Sequence, residues 1–318
     1  MEENENTVVD PLAGQMLPDE GLFGPGTPAD AAAAARSERV GWRHNFRVFC
    51  RHKPAVAGLV YVVLLVLASF LGPAVFDLDY EKGDASETLI PFSAEHPFGT
   101  DQQGRDLLVR NLYAARNAIV VAVVSVLVGL LLGALIGAFA GYLGGALDLL
   151  TMRLVDIMFA FPQILLLILL LVAIPDSMDR RISMFVAIGL TSWAGYARLI
   201  RGQVMQARNE DYVEAARCLG ASNSHILRKY ILPNIAGPII VAVSFGIPSA
   251  MMAESGMSLI GLGLRPPMPS WGNLIYEGAR EMLGFPHLVL WPSITFGLTL
   301  LAFTFIGDGL GGVYGKDR

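Results

Sequence analysis

Residues 117–142 read NAIVVAVVSVLVGLLLGALIGAFAGY and carry no charged side chain. A helix of about 20 apolar residues crosses the hydrocarbon layer of a bilayer, so this run is long enough to span. Within it, Gly129, Gly133, Gly137 and Gly141 recur every four residues and therefore lie on one helix face. Such a stripe lets another helix approach closely, because glycine has no side chain. Close contact of this kind holds membrane helices together, since lipid tails provide no hydrophobic drive between them. The partner helix could belong to this chain or to a second subunit.

The composition of the whole chain also indicates a membrane protein. Hydrophobic residues make up 53% of its 318 residues and charged residues only 16%, too few for the surface of a soluble globule of this size. The apolar residues form long runs near or above the length of a span. These runs cover about residues 55–76, 117–142, 148–174, 182–200, 236–262 and 286–308. The sequence therefore predicts an all-α, polytopic membrane protein with six transmembrane helices.

Positive charges predict the orientation, because cytoplasmic loops carry an excess of Lys and Arg. Most of them lie in two segments, the approach to the first span and the loop between the fourth and fifth spans. Their cationic residues are Arg36, Arg39, Arg43, Arg47, Arg51, Lys53, Arg198, Arg201, Arg208, Arg217, Arg228 and Lys229. Arg180 and Arg181, in a predicted external turn, count against this orientation but are outnumbered. Both termini are expected in the cytoplasm and the acidic loop at residues 77–116 outside.

A polar segment, residues 209–222, interrupts the apolar runs before the predicted fifth span. We predict two short helices joined by a tight turn, with Asn209 as the N-cap of the first. Gly220 is expected to adopt a positive φ and stop that helix, and Pro233 to end the second. The small pair Ala215-Ala216 leaves a shallow face that a soluble partner could cover closely.

This hairpin matches a known motif through Glu214-Ala215-Ala216, Gly220 four residues later, and Ile231-Leu232-Pro233. It resembles the EAA loop of ABC importer permeases, the membrane subunits that couple to separate ATPase subunits. Flanking segments resemble the dipeptide, oligopeptide and nickel permease family. These segments are His96-Pro97-Phe98-Gly99-Thr100-Asp101 with Gly104-Arg105-Asp106, Val155-Asp156 with Ala160-Phe161-Pro162, Gly195-Tyr196-Ala197-Arg198, and Gly261-Leu262-Gly263 with Pro266 and Trp271-Gly272. Their order resembles the C-type subunit over roughly residues 47–310.

The resemblance implies a type I ABC importer permease fold in a bacterial or archaeal cytoplasmic membrane. This chain would form half of a translocation pathway for dipeptides, oligopeptides or related small solutes. The implied partners are a second permease subunit in a heterodimer, two ATPase subunits that bind ATP and Mg, an extracytoplasmic substrate-binding protein, and membrane lipid. The implied ATPase-coupling residues, in a hairpin at about residues 209–231 and just after it, are Glu214, Ala215, Ala216, Gly220, Leu232 and Pro233. The cargo is left open, since specificity in this family resides largely in the binding protein.

Glu254 lies inside the predicted fifth span, where a carboxylate is costly unless it faces a cavity or a partner. It is therefore a candidate for the translocation pathway, where it could contact the amino group of a passing peptide. Alternatively, it is hydrogen-bonded to neighbouring helices and orders the span. After this span, residues 261–272 are predicted to form a structured external loop with Trp271 as an interfacial anchor. Other charged residues near span ends, most simply interfacial, are Asp156, Asp308, Arg153 and Arg198.

Residues 1–46 are rich in Pro, Gly and Ala and are predicted to be a mostly disordered cytoplasmic tail. Residues 47–318 are predicted to be the transmembrane permease domain. The hairpin has the outline of a helix-turn-helix, but membrane spans tether it at both ends, which argues against nucleic acid as a partner. Cys50 and Cys218 both fall on the predicted cytoplasmic side, and neither a disulfide nor a metal site is expected.

The sequence contains no motif of a nucleotide-binding or hydrolytic enzyme. The only Gly-Lys pair, Gly315-Lys316, lacks the leading glycine of a phosphate-binding loop. ATP must therefore bind on another chain, and we expect a transport subunit without a cofactor of its own. The alternative is an ion-driven secondary transporter, which favours several intramembrane charges and broken helices in paired repeats. The sequence offers one strong intramembrane carboxylate and no convincing repeat.

Overall fold

The computed structural model describes residues 42–76, 78–175 and 177–314 of the chain. Contacts divide the chain into residues 1–47 and residues 48–318, and the first unit is described only from residue 42 onward. The predicted tail therefore lies almost entirely outside the described residues. Regular structure in the described part is helical. The helices are α1 (Trp42–Arg51), α2 (Lys53–Val75), α3 (Leu107–Leu143), α4 (Gly145–Ala160), α5 (Gln163–Ala173), α6 (Arg180–Ala207), α7 (Asp211–Cys218), α8 (Asn223–Ile226), α9 (Ala236–Leu259), α10 (Trp271–Arg280) and α11 (His287–Tyr314).

Four of the described helices, α2, α3, α9 and α11, are long and apolar enough to cross a membrane. Helices α4 and α5 meet the same criterion only as a pair, which makes up to five candidate spans. Helix α6 is 28 residues long but more polar, and it is not among these candidates. The fold is therefore that of a multi-span helical membrane protein, with four or five candidate spans among the described helices.

The prediction of one continuous helix over residues 148–174 is wrong. The chain bends by 94° between α4 and α5, at Phe161 and Pro162. Proline has no N–H to donate and disfavours helical backbone in the residue before it. Phe161 accordingly has an extended conformation, with φ −90° and ψ 138°. A strongly apolar run thus contains a sharp local break.

Helix α3 begins ten residues earlier than the predicted second span. Its N-cap is Asp106, whose side chain accepts a hydrogen bond of 3.0 Å from the backbone N–H of Val109. This cap satisfies one of the free amides that every helix start leaves. The helix therefore extends beyond the uncharged run and ends at Gly144, where φ is 68°.

The glycine stripe of α3 packs against α6 of the same chain. A Cβ atom at Gly133 would lie 2.7 Å from the carbonyl oxygen of Trp193, and one at Gly141 would lie 2.7 Å from that of Arg201. Real Cβ atoms essentially never approach so closely. The two backbones are therefore in direct contact along these turns, an arrangement that only glycine allows.

A chain of polar side chains joins α2, α3, α10 and α11. Tyr61 donates to the carbonyl oxygen of Thr295 over 3.2 Å, and Asn111 donates to the Thr295 hydroxyl over 2.8 Å. The indole N–H of Trp271 donates to Asn111 over 2.7 Å. Trp271 is 0% exposed, so its prediction as an interfacial anchor is wrong. A buried indole N–H needs an acceptor, which Asn111 provides from a different helix.

Candidate functional site

The polar hairpin forms two helical segments, as predicted, but its first helix starts later. Helix α7 begins at Asp211 with Glu210 at the cap position, so the assignment of Asn209 as N-cap is wrong. The backbone N–H of Asn209 still donates to the carbonyl of Gln206 over 3.2 Å, which prolongs the last turn of α6. At the other end Gly220 has the predicted positive φ, 81°. The N–H of Ala221 donates to the carbonyl of Ala216 over 3.0 Å and closes a Schellman-type turn.

Pro233 does not end the second helical segment. Helix α8 continues through a π-helical turn, Leu227–Ile231, into a short helical turn, Leu232–Asn234, which α9 follows directly. Pro233 stands in the first turn of its segment, where a missing N–H costs nothing because that group has no partner within the helix. The hairpin therefore leads into α9 with little interruption.

The predicted coupling residues divide between the surface and the interior of the hairpin. Glu214, Ala215, Gly220 and Pro233 are exposed. Ala216 is buried and Leu232 is half-buried. Beside the exposed residues lies a surface hollow lined by Arg208, Asn209, Glu214, Arg217 and Cys218. The exposed positions can meet a partner directly, whereas Ala216 belongs to the hydrophobic core and Leu232 packs against it.

Three hydrogen bonds tie the hairpin, and Arg208 immediately before it, to the end of α3. Arg208 donates to the carbonyl oxygens of Gly141 and Tyr142 over 3.2 and 3.0 Å. The Tyr142 hydroxyl donates to the side-chain oxygen of Asn223 over 2.9 Å. Because α6 also continues into the hairpin, a displacement of the hairpin would act on both helices of the glycine-packed pair. Sequence reasoning missed Tyr142 and Asn223, and it used Arg208 only as an orientation charge.

Glu254 is 0% exposed. Its carboxylate accepts hydrogen bonds from the hydroxyls of Ser258 and Ser255 over 2.8 and 3.1 Å. The Ser258 oxygen accepts in turn from the backbone N–H of Leu264 over 3.2 Å. These contacts connect the end of α9 to the loop that follows. The neighbouring serines are the hydrogen-bond partners that a buried carboxylate requires.

The loop between α2 and α3 is organised around His96. Its Nδ1 lies 2.7 Å from the carboxylate of Asp106, and its Nε2 lies 3.2 Å from that of Glu87. The hydrogen bond to Asp106 raises the pKa of the His96 imidazole above its ordinary 6.5, and Glu87 adds to the rise while partial burial opposes it. Asp106 also caps α3, so His96 binds the loop to the start of that helix.

A buried ion network anchors the same loop to α3 and α10. The carboxylate of Asp101 forms ion pairs with Arg105 and Arg110, with N–O distances of 2.7 and 2.5 Å. Arg110 also pairs with Glu277 of α10 over 3.0 Å, although its own side chain is only 2% exposed. These hydrogen bonds and ion pairs therefore hold the segment from His96 to Asp106 against the helical bundle. The sequence resemblance singled out this segment without indicating its contacts.

A second hollow lies between α3, α6 and α9, beside the break between α4 and α5. Its polar lining comes from Gln163, Thr191, Ser192, Tyr196 and Ser249. Phe159 forms part of the wall, and the guanidinium of Arg198 lies 4.3 Å from the centre of that ring. Arg198 also forms an ion pair of 2.7 Å with Asp156 of α4.

An apolar helical bundle with an exposed polar hairpin between two of its long helices is the arrangement expected of a membrane permease subunit. Residues 129–317 match the family described as binding-protein-dependent transport system inner membrane component. Residues 42–94 match the N-terminal TM domain of oligopeptide transport permease C. The chain therefore belongs to the family of binding-protein-dependent transport system inner membrane components. It is the membrane permease subunit of an ABC importer and not an enzyme, and the resemblance stated from the sequence is confirmed.

Similar proteins cover most of the chain. The oligopeptide transport system permease protein OppC of Escherichia coli (strain K12) is 41% identical over 271 residues, 85% of this chain and 89% of that protein. OppC of Bacillus subtilis (strain 168) is 34% identical over 286 residues, 88% of this chain and 93% of the relative. The dipeptide transport system permease protein DppC of the same strain is 37% identical over 261 residues, with 82% and 81% coverage. These relatives give no support to an ion-driven secondary transporter.

Proposed function

We propose that this chain forms half of a heterodimeric pathway that imports dipeptides or oligopeptides. A second permease subunit completes the pathway, two ATPase subunits bind ATP and Mg, and an extracytoplasmic binding protein delivers the cargo. The similarity to peptide permeases supports the cargo class. The single observation that carries the coupling role is the exposed hairpin that follows α6 in the chain and is hydrogen-bonded to the end of α3.

The proposed arrangement has six spans, with the α4–α5 pair as the third and α6 as the fourth. Helix α6 packs backbone to backbone on α3 from Gly129 to Gly141, and this close pairing with a span supports its assignment as a span. Its arginines Arg198 and Arg201 are neutralised by Asp156 and Asp148 of α4. An even number of spans puts both termini on one side, which the positive charges assign to the cytoplasm of a bacterial or archaeal cell.

In the proposed cycle, the ATPase subunits press on the hairpin through Glu214, Ala215, Gly220 and Pro233. Ala216 and Leu232 keep the hairpin rigid enough to act as a lever. Movement then passes to α3 and α6 together, because packed helices shift between discrete arrangements rather than deform smoothly.

The test is reconstitution of this chain with the permease, ATPase and binding-protein subunits that purify with it. Proteoliposomes should accumulate a labelled dipeptide or oligopeptide only when ATP is on the side of the ATPase subunits and the binding protein is on the opposite side. A complex that hydrolyses ATP in response to its binding protein and moves another solute, but no peptide, would contradict the proposed cargo.

A further inference from the structure

Asp156 and Arg198 form an ion pair that is only half covered. The Nη2 atom of Arg198 lies 2.7 Å from Oδ1 of Asp156, yet the two side chains are 49% and 62% exposed. The sequence predicted both residues to be interfacial, but the backbone of Ala197, the neighbour of Arg198, packs against Gly137, five residues inside the uncharged run 117–142 of α3. The pair therefore lies within the depth that the proposed function gives to the membrane. Exposure of charged side chains to lipid is costly, so charged residues in spans almost always face a bundle interior or a water-filled cavity. The surface around this pair is therefore expected to face such a cavity.

The hollow beside the pair has the chemistry of a small-solute site. It has a volume of about 260 Å³, and hydroxyl and amide groups line it together with apolar side chains. Phe159 belongs both to the hollow and to the ion pair's surroundings, because Arg198 stacks over its ring. Gly195 and Leu199, one turn before and one position after Arg198, also line the hollow. Asp156 and Arg198 do not line the hollow themselves, but Phe159, Gly195 and Leu199 put the ion pair at its edge.

We propose that Asp156 and Arg198 form a transient binding site for the charged ends of a peptide on the translocation route. Asp156 receives an amino-terminal ammonium group, Arg198 receives a carboxyl-terminal carboxylate, and the adjoining hollow accepts uncharged parts of the cargo. This inference rests on the proposed function and adds the place where the chain itself recognises cargo.

The pair suits a zwitterionic cargo because each charge already has a partner when the site is empty. A peptide with both termini free exchanges one partner for another and leaves no charge unpaired. The planar guanidinium of Arg198 can hold a carboxylate through two parallel hydrogen bonds. Because the pair is half exposed, its charges are well screened, so the cargo is held weakly and can leave.

Accessibility is the first test. In a Cys50→Ser, Cys218→Ser background, Gly195→Cys is introduced, because Gly195 lines the hollow beside the pair and a Cβ there meets no atom within 4 Å, and the full complex is placed in proteoliposomes. A membrane-impermeant thiol reagent should modify this cysteine, and a transported peptide with its binding protein and ATP should protect it. Leu150→Cys, on the exposed apolar surface of α4, is the control and should stay unmodified. An unmodified Gly195→Cys, or one that cargo does not protect, overturns the proposal.

Cargo selectivity is the second test, with peptides for which the binding protein's affinity has first been measured. Asp156→Asn should slow uptake of a free dipeptide about tenfold and leave its N-acetylated form little changed, since a charged hydrogen bond is worth that factor or more. Arg198→Gln should likewise slow uptake of the free dipeptide about tenfold and leave uptake of its C-amidated form little changed. Equal losses for all peptides, with rescue by the exchange Asp156→Arg plus Arg198→Asp, would show only a structural tie.

These results remain distinct from failure of the proposed function. If the unaltered complex imports no peptide at all, the cargo class is wrong. If it imports peptides normally while both variants treat every peptide alike, only the site is wrong.

Discussion

The hydroxyl of Tyr142, in the last turn of α3, donates a hydrogen bond of 2.9 Å to the side-chain oxygen of Asn223 in α8. The two residues are 81 positions apart in the chain. Arg208 supports the same junction by donating to carbonyl oxygens at the end of α3. The polar hairpin is thereby fastened to a helix that does not lead into it.

Tyr142→Phe should leave the complex assembled and weaken coupling. Loss of the hydroxyl removes about 1 kcal/mol of interaction free energy from the junction. We expect slower ATP-driven uptake and a smaller stimulation of ATP hydrolysis by cargo. Asn223→Ala should have the same effect, and the double variant should be no worse than either. Tyr113→Phe removes a similar bond to the carbonyl of Leu78, far from the hairpin, and should couple normally.

Gly220→Val should abolish transport while membrane insertion stays intact. The φ of 81° costs an L-residue about 1–2 kcal/mol, and a β-branched residue more. No atom lies within 4 Å of a Cβ built at Gly220, so the backbone alone is responsible for the effect. Gly202→Val, at an equally open helical position of α6, is the matched control and should transport. Uptake by the Gly220→Val complex equal to that of the control would refute the hairpin's assigned geometry.

Glu214→Lys should also uncouple the complex, through the exposed face of the hairpin and not through its fold. The side chain of Glu214 is exposed and lines the hollow beside α7, so a change of charge need not disturb the bundle. We expect normal yield and thermal stability of the complex, with ATP hydrolysis that no longer depends on cargo. Unchanged uptake would mean that no partner contacts this position.

Gly133→Leu or Gly137→Leu should prevent recovery of folded complex in detergent. Each added side chain would force α3 and α6 apart, because the backbone of α6 already occupies the space. Gly297→Leu in α11 is the control, since a Cβ there meets no atom within 4 Å. Full yield and activity of both stripe variants would show that α3 and α6 do not pack in this way in the assembled transporter.

His96 should make the stability of the complex depend on pH. Its pKa is raised above 6.5 chiefly by the hydrogen bond to Asp106, so folding favours the protonated imidazole. The resulting stabilisation is complete below pH 6.5 and disappears as the pH rises through the folded pKa. His96→Gln should therefore lower the melting temperature most at about pH 6, and the difference should shrink at alkaline pH. A constant difference between pH 6 and 9 would exclude this effect.

Glu254→Gln separates the two roles considered for this carboxylate. A glutamine can keep one acceptor for the serine hydroxyls, so the structural role predicts a modest loss of stability and equal losses for cationic and anionic peptides. The enclosed position of Glu254 favours this outcome. A selective loss for cationic peptides at unchanged melting temperature would instead assign it to the pathway.

Features that depend on a short stretch of chain could be predicted. The apolar runs indicated membrane helices, and Gly220 had its positive φ because a helix stop of this kind favours glycine. The break at Pro162 was also a local signal, but it was missed because hydropathy alone treats residues 148–174 as one run. The early start of α3 was missed for a similar reason, since its N-cap Asp106 lies outside the apolar run 117–142.

By itself, the sequence determined the class of this protein, its family and the location of its polar hairpin, because hydrophobic length and local backbone preferences act over a few turns of helix. Only the tertiary structure decided that the glycine stripe meets α6, that Trp271 is buried against Asn111, and that Asp156 pairs with Arg198. Each of these contacts joins residues distant in the chain. Their partners depend on which helices pack together. A small residue or a charged side chain could pack with several helices, and only the contacts of the whole bundle fix which one it meets.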